Sequence, residues 1–247
     1  MVLCIQSSKY VMATSLVQIP SAPDLVDQVY RALLDAISSG SLAPGERLTQ
    51  EDIARRLNVS RQPVLQALRL LKKDGFVHDA PGRGVWVAPL DVEWTRKVYQ
   101  VRGALDMLAA RLAAAQCFRI DPKLIERGRR AARGRSVEAM LDADMAFHQA
   151  IYAASGNALI GQSADHHWRH LRRAMGAVLQ SATQRESLWD EHQSIADAIA
   201  AGDADGAARL SNDHGAEASA NLGRRLAERL NTPALSTSTT ALSGDPR

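Results

Sequence analysis

The chain has 247 residues, 46% hydrophobic and 23% charged, with a formal net charge of +3. This composition excludes wholesale disorder and fibrous repeats, and the length suits one large domain or two smaller ones. Two cysteines, Cys4 and Cys117, argue against a disulfide framework, and no apolar run reaches the ~18–20 residues of a membrane span.

The opening Met1-Val2-Leu3-Cys4 lacks the basic and apolar stretches of a secretory signal, so a cytoplasmic protein with no membrane partner is expected. Residues 1–22 show no sustained period and read as a flexible leader. A first domain then spans 23–90. Leu25, Val29, Leu33 and Ile37, four apart, predict a helix over 24–38, which Gly40, Pro44 and Gly45 end. A short helix follows over 49–57, with Thr49 and Asp52 as a capping box. After the turn Asn58-Val59-Ser60, Ser60 is placed to cap a helix running to Lys73, with Pro63 tolerated in its first turn. Two strand-like runs, 76–78 and 85–87, are joined by Ala80-Pro81-Gly82-Arg83-Gly84 as a hairpin.

Helix, short helix, turn, basic helix and hairpin is the order of a winged helix-turn-helix. Between Arg55 and Lys73 lie six basic residues and no acid. At 100° per residue, Val64, Ala67, Leu68 and Leu71 form an anchoring stripe. Gln62, Gln66, Arg69 and Lys73 face the other way, with Arg61 at the N-terminal end. Gln pairs bidentately with adenine and Arg with guanine, so this face suits a major groove. Arg83, beside Gly84 at the hairpin tip, is placed for phosphate or the minor groove. Double-stranded DNA is the expected partner.

The stretch Leu48–Leu71 (LTQEDIARRLNVSRQPVLQALRLL) resembles the signature of the GntR family of bacterial transcription regulators. The resemblance spans about 25–88 and implies an operator-binding homodimer, with repression as the family's usual mode. Two positions depart from the family pattern. Leu65 and Glu51 stand where DNA-contacting arginines are common, so those contacts are not carried over; Leu65 either meets a thymine methyl or touches nothing on the DNA.

From Val92 onward the pattern is helical throughout, over 93–116, 122–133, 136–155, 157–182, 187–201 and 204–230. These six helices predict an all-α bundle as a second domain over 93–230, so the fold class is mainly α. A Ser/Thr-rich tail over 231–247 reads as disordered. Asp144 and His148, four apart, fall inside the apolar stripe of Leu141, Met145, Ile151 and Tyr152. His192 falls in the stripe of Leu188, Ile195 and Ile199, and His214 in that of Ala207, Leu210, Ala218 and Leu222. An unpaired carboxylate in a core costs several kcal/mol, and a divalent cation removes that cost for all four groups. Three imidazoles and one carboxylate suit zinc or nickel. His166 and His170 face away from their own helix's stripe and read as surface residues.

This region is also similar to the FCD domain of the FadR branch of GntR regulators. Asp144-Met-Ala-Phe-His148, Glu191-His192 and His214 match that domain's Asp-and-three-His metal site. The resemblance implies a pocket beside the metal for a small organic acid. Arg102 and Arg172, at the inward edges of their helices, are the cations assigned to bind it. The expected function is a metabolite-responsive regulator and not an enzyme. The alternatives are a metal-dependent hydrolase fused to a DNA reader, or a regulator whose metal is purely structural.

Overall fold

The computed structural model describes residues 25–179 and 187–231. The expected leader, the tail beyond 231 and the last residues of the helix expected to reach 182 lie outside them. The described residues form nine α-helices and one three-stranded sheet.

The N-terminal module holds α1 (Leu25–Ser38), β1 (Arg47–Leu48), α2 (Gln50–Leu57), α3 (Arg61–Lys73), β2 (Val77–Asp79) and β3 (Val85–Val87). The Thr49 side chain caps α2 by accepting from Asp52 N, and Asn58 closes it in the left-handed conformation that asparagine tolerates. Ser60 occupies the N-cap of α3 but makes no side-chain capping bond. Pro63, the third helical residue, has no N–H to offer it. Val64, Ala67, Leu68 and Leu71 are buried against α1 and the sheet, together with Leu34, Ile37 and Phe76.

The sheet order is β1-β3-β2, all antiparallel, with Arg47 opposite Trp86 and His78 opposite Trp86 on the other side. Strand β1 is an addition to the expected hairpin. Its two residues are too few to show an alternating pattern. Arg47 also secures the hairpin tip, donating to the carbonyls of Arg83 at 2.8 Å and Pro81 at 3.3 Å.

The C-terminal module comprises α4 (Val92–Ala114), α5 (Pro122–Arg133), α6 (Val137–Ala154), α7 (Ala158–Leu179), α8 (Ser187–Ala200) and α9 (Ala204–Asn231). The Asp91, Asp121 and Ser136 side chains cap α4, α5 and α6. Asn157 Oδ1 accepts from Leu159 N at 3.1 Å at the start of α7. Helix α4 packs along α9, and α6 lies against α4, α5 and α7. Phe147, Ile160, Trp168, Ile195 and Ile199 centre the larger apolar cluster, and Leu171, Leu222 and Leu226 the smaller. The polar cluster described next sits among these helices.

Candidate metal centre and DNA-reading surface

Helix α6 puts Asp144 and His148 one turn apart on its inward face, α8 contributes His192, and α9 contributes His214. All four are buried, and one ligand atom from each lies within 4.8 Å of the others. His192 Nε2 is 3.3 Å from His214 Nε2 and 3.4 Å from Asp144 Oδ1; His148 Nε2 is 3.9 Å from the same oxygen. Zinc bonds of ~2.0–2.1 Å in a tetrahedron imply ligand separations of about 3.3 Å, so the residues fit such an ion.

The electrostatics point the same way. Asp144 Oδ1 and His192 Nδ1 are buried with no hydrogen-bond partner among the described residues. Burial pushes the Asp144 carboxyl above its ordinary value, against the pull of Arg102. Burial, followed by the charge of Arg102, holds His148 well below the usual histidine range; burial and then His214 do the same to His192. Neutral His148 and His192 rings beside a buried carboxylate oxygen with no hydrogen-bond partner form a donor set for a divalent cation.

Neighbouring side chains fix these groups. His214 Nδ1 donates to Glu191 Oε2 at 2.8 Å. Phe147 stacks on His192 at 4.2 Å between ring centroids. Arg102 is 2% exposed; its Nε is 3.0 Å from Asp106 Oδ2 and its NH2 donates toward the His148 ring, 3.0 Å from Nε2. Burial lowers the Arg102 pKa, but Asp106 and its other neighbours outweigh that and keep the guanidinium charged. Asp106 accepts from the Tyr152 hydroxyl, which accepts from Trp168 Nε1, and Trp168 lies beneath the Arg102 guanidinium at 4.0 Å.

A cavity of about 190 Å³ opens beside the cluster, with Asp144, Trp189, Glu191, Asn221 and Arg225 on its wall. At about 30 Å³ per water it has room for roughly six waters, the scale of a small metabolite. Neither arginine assigned to this pocket from the sequence lines it. Arg102 lies behind His148, because Asp106, one turn away on α4, draws its side chain inward. Arg172 is paired with Asp142 at 2.5 Å and lines a separate cleft between the two modules. The cation on the cavity wall is Arg225, which has no ion pair among the described residues. Its spacing from His214, Ala218 and Leu222 puts it on the same face of α9, so helical phase could have found it.

On the N-terminal module Arg61, Gln62, Gln66, Arg69, Lys73 and Arg83 are exposed. Arg61 is held by Glu51 at 2.6 Å. Gly84 has φ +103°, and a Cβ there would lie 2.4 Å from the Leu48 carbonyl oxygen, so only glycine fits this corner of the hairpin.

Comparison with known proteins agrees with this architecture. Residues 25–87 match the profile of the bacterial regulatory proteins of the gntR family, and residues 97–217 that of the FCD domain. The HTH-type transcriptional regulator LutR of Bacillus subtilis is 30% identical over 192 residues, covering 67% of this chain and 86% of LutR. The HTH-type transcriptional repressor RspR of Escherichia coli is 27% identical over 192 residues, covering 76% and 84%. The solved structure of Escherichia coli McbR/YncC superposes with a TM-score of 0.68 at 21% identity, covering 81% of this chain and 98% of that one. No helix among the described residues is long and apolar enough to cross a membrane.

Proposed function

The chain belongs to the GntR family of bacterial transcription regulators and carries an FCD domain, and from that premise we propose that it reads a palindromic operator under the control of a metal and a small acid. These families and relatives are transcription regulators, not enzymes, which sets the hydrolase alternative aside. The observation that carries the sensing half is the convergence of Asp144, His148, His192 and His214 beside a cavity sharing the Asp144 wall. Those residues would hold zinc or nickel, which would supply a Lewis-acid position for a carboxylate. Arg225 and Asn221 supply polar groups on the same wall, while Met140, Met175 and Leu222 accept an apolar body. We assign the chain to the FadR branch on its FCD domain.

DNA reading is assigned to Arg61, Gln62, Gln66, Arg69 and Lys73 in the major groove, with Arg83 and Gly84 at the wing. The domain limits we propose are 23–90 and 93–230. A homodimer is supported by α4, where exposed Trp94, Val101 and Leu108 recur at seven-residue intervals, the spacing of a helix–helix seam. RspR is named a repressor, and repression is the mode we propose here; operator binding places the protein in the cytoplasm.

The test is operator binding by the full chain with zinc present or chelated, on a site selected from a randomised library, with a panel of small organic acids. A change in affinity on adding both zinc and one acid class supports the reading. Equal affinity under every condition makes the helical body a dimerisation unit alone.

A further inference from the structure

None of the three histidines of the run His166-His167-Trp168-Arg169-His170 on α7 belongs to the metal cluster, yet His170 and Arg173 are both buried. The other module helps to bury them. His170 stacks flat on Phe76, with ring centroids 4.1 Å apart and planes 7° apart, and its Nε2 lies 3.1 Å from the Asp74 carbonyl oxygen. A carbonyl only accepts, so the ring proton sits on Nε2. Burial, then His166, pushes the His170 pKa down to about 4, which keeps the ring neutral. Arg173 donates from NH2 to the Ala88 carbonyl, immediately after β3.

These contacts fall at both ends of the wing. Asp74 is the C-cap of α3, and Phe76 leads into β2. Asp74 is also held from within its own module, where its Oδ2 accepts from the Tyr30 hydroxyl at 2.6 Å. Two residues before His170 on α7, Trp168 carries the Arg102 guanidinium and has its ring centroid 5.2 Å from that of His148. One helix thus touches both the Arg102–His148 side of the metal cluster and the C-terminal end of α3.

We propose that His170 and Arg173 are positioning residues that clamp the α3–wing turn to the helical body, making α7 the element through which the metal site sets the pose of the DNA-reading surface. The clamp stands on its contacts alone; its link to sensing rests on the proposed function. The relevant coupling is a difference in zinc affinity between clamped and released arrangements. A side chain that merely filled the interface would alter stability without altering this response.

The experiment compares the full-length wild type with His170→Phe, His170→Ala, Arg173→Met and Arg173→Lys. Phe keeps the stack and loses the donor; Lys keeps a donor. Amide exchange of Gly75 and Phe76 is read first, together with zinc content. The expected result is exchange at least about tenfold faster in His170→Ala and Arg173→Met, partial rescue in Phe and Lys, and unchanged zinc. Operator affinity is then compared with and without zinc, and its ratio should fall to about one in the two severe variants. Unchanged exchange at Gly75 and Phe76 overturns the clamp. Fast exchange with a wild-type zinc ratio overturns the coupling. A wild type indifferent to zinc but clamped as described defeats the sensing function and the link to it, leaving the clamp as a fixed joint.

Discussion

Glu191 accepts from Nδ1 of His214 at 2.8 Å, so the lone pair of that ring is on Nε2, 3.3 Å from Nε2 of His192. A carboxylate behind a ligating imidazole fixes its tautomer and ring angle, and losing such a partner costs ~10–100-fold in metal affinity. Glu191→Ala is expected to weaken zinc binding by about that factor while the chain stays folded. Competition with a chromophoric chelator measures it. An unchanged dissociation constant would remove Glu191 from the site's design.

Acid should loosen the contact between the modules. His170 has a pKa near 4 in the fold against an ordinary value of 6.5. A depressed pKa means that its contribution is complete above pH 6.5 and declines as the pH falls towards 4. The groups facing it are His166, His167 and Arg173 on α7, the Phe76 ring, the Trp94 edge on α4 and the Asp74 carbonyl. The informative quantity is a difference between variants. The wild type should lose more melting temperature than His170→Phe between pH 6.5 and 4.5; parallel curves would show that His170 is not the group responsible.

Gly84 tests the wing. Alanine there adds a Cβ 2.4 Å from the Leu48 carbonyl oxygen at φ +103°, which forces β1 and the hairpin tip apart. Strained backbone of this kind costs about 1–3 kcal/mol. Gly84→Ala should weaken operator binding and lower the melting temperature while leaving zinc content unchanged. Wild-type operator affinity in this variant would mean that the hairpin tip takes no part in binding.

Leu65 is half-buried on α3, one residue before exposed Gln66. If it meets a thymine methyl, Leu65→Arg should shift the preferred base pair at one position of each half-site towards guanine. Selection from a randomised duplex library reads the change directly. The same preferred sequence in both proteins would make Leu65 a spectator.

The sequence exposed more of the metal cluster than of its surroundings. Asp144 and His148 share a face because they are four apart, and each remaining histidine shares a stripe with aliphatic residues, so phase alone brought the four inward. Phase could not say that Asp106 would hold Arg102 behind His148, or that Asp142 would capture Arg172, because those outcomes depend on neighbouring side chains. His170 reads as a surface residue by phase but is buried, for a related reason. It faces away from its own helix's core stripe, and Phe76 and Asp74 of the neighbouring module, with Trp94 on α4, cover it. Leu210, counted in the inward stripe of its helix, is 38% exposed. Ser60 was expected to cap α3, but Pro63 removes the N–H it would have bonded.

Crystals of the full chain purified with zinc, measured on both sides of the zinc absorption edge, test the central claim most directly. The account predicts a single strong anomalous peak per chain among Asp144 Oδ1, His148, His192 Nε2 and His214 Nε2, absent from His192→Ala. An ordered cluster with those four side chains in place and no anomalous peak between them would contradict it.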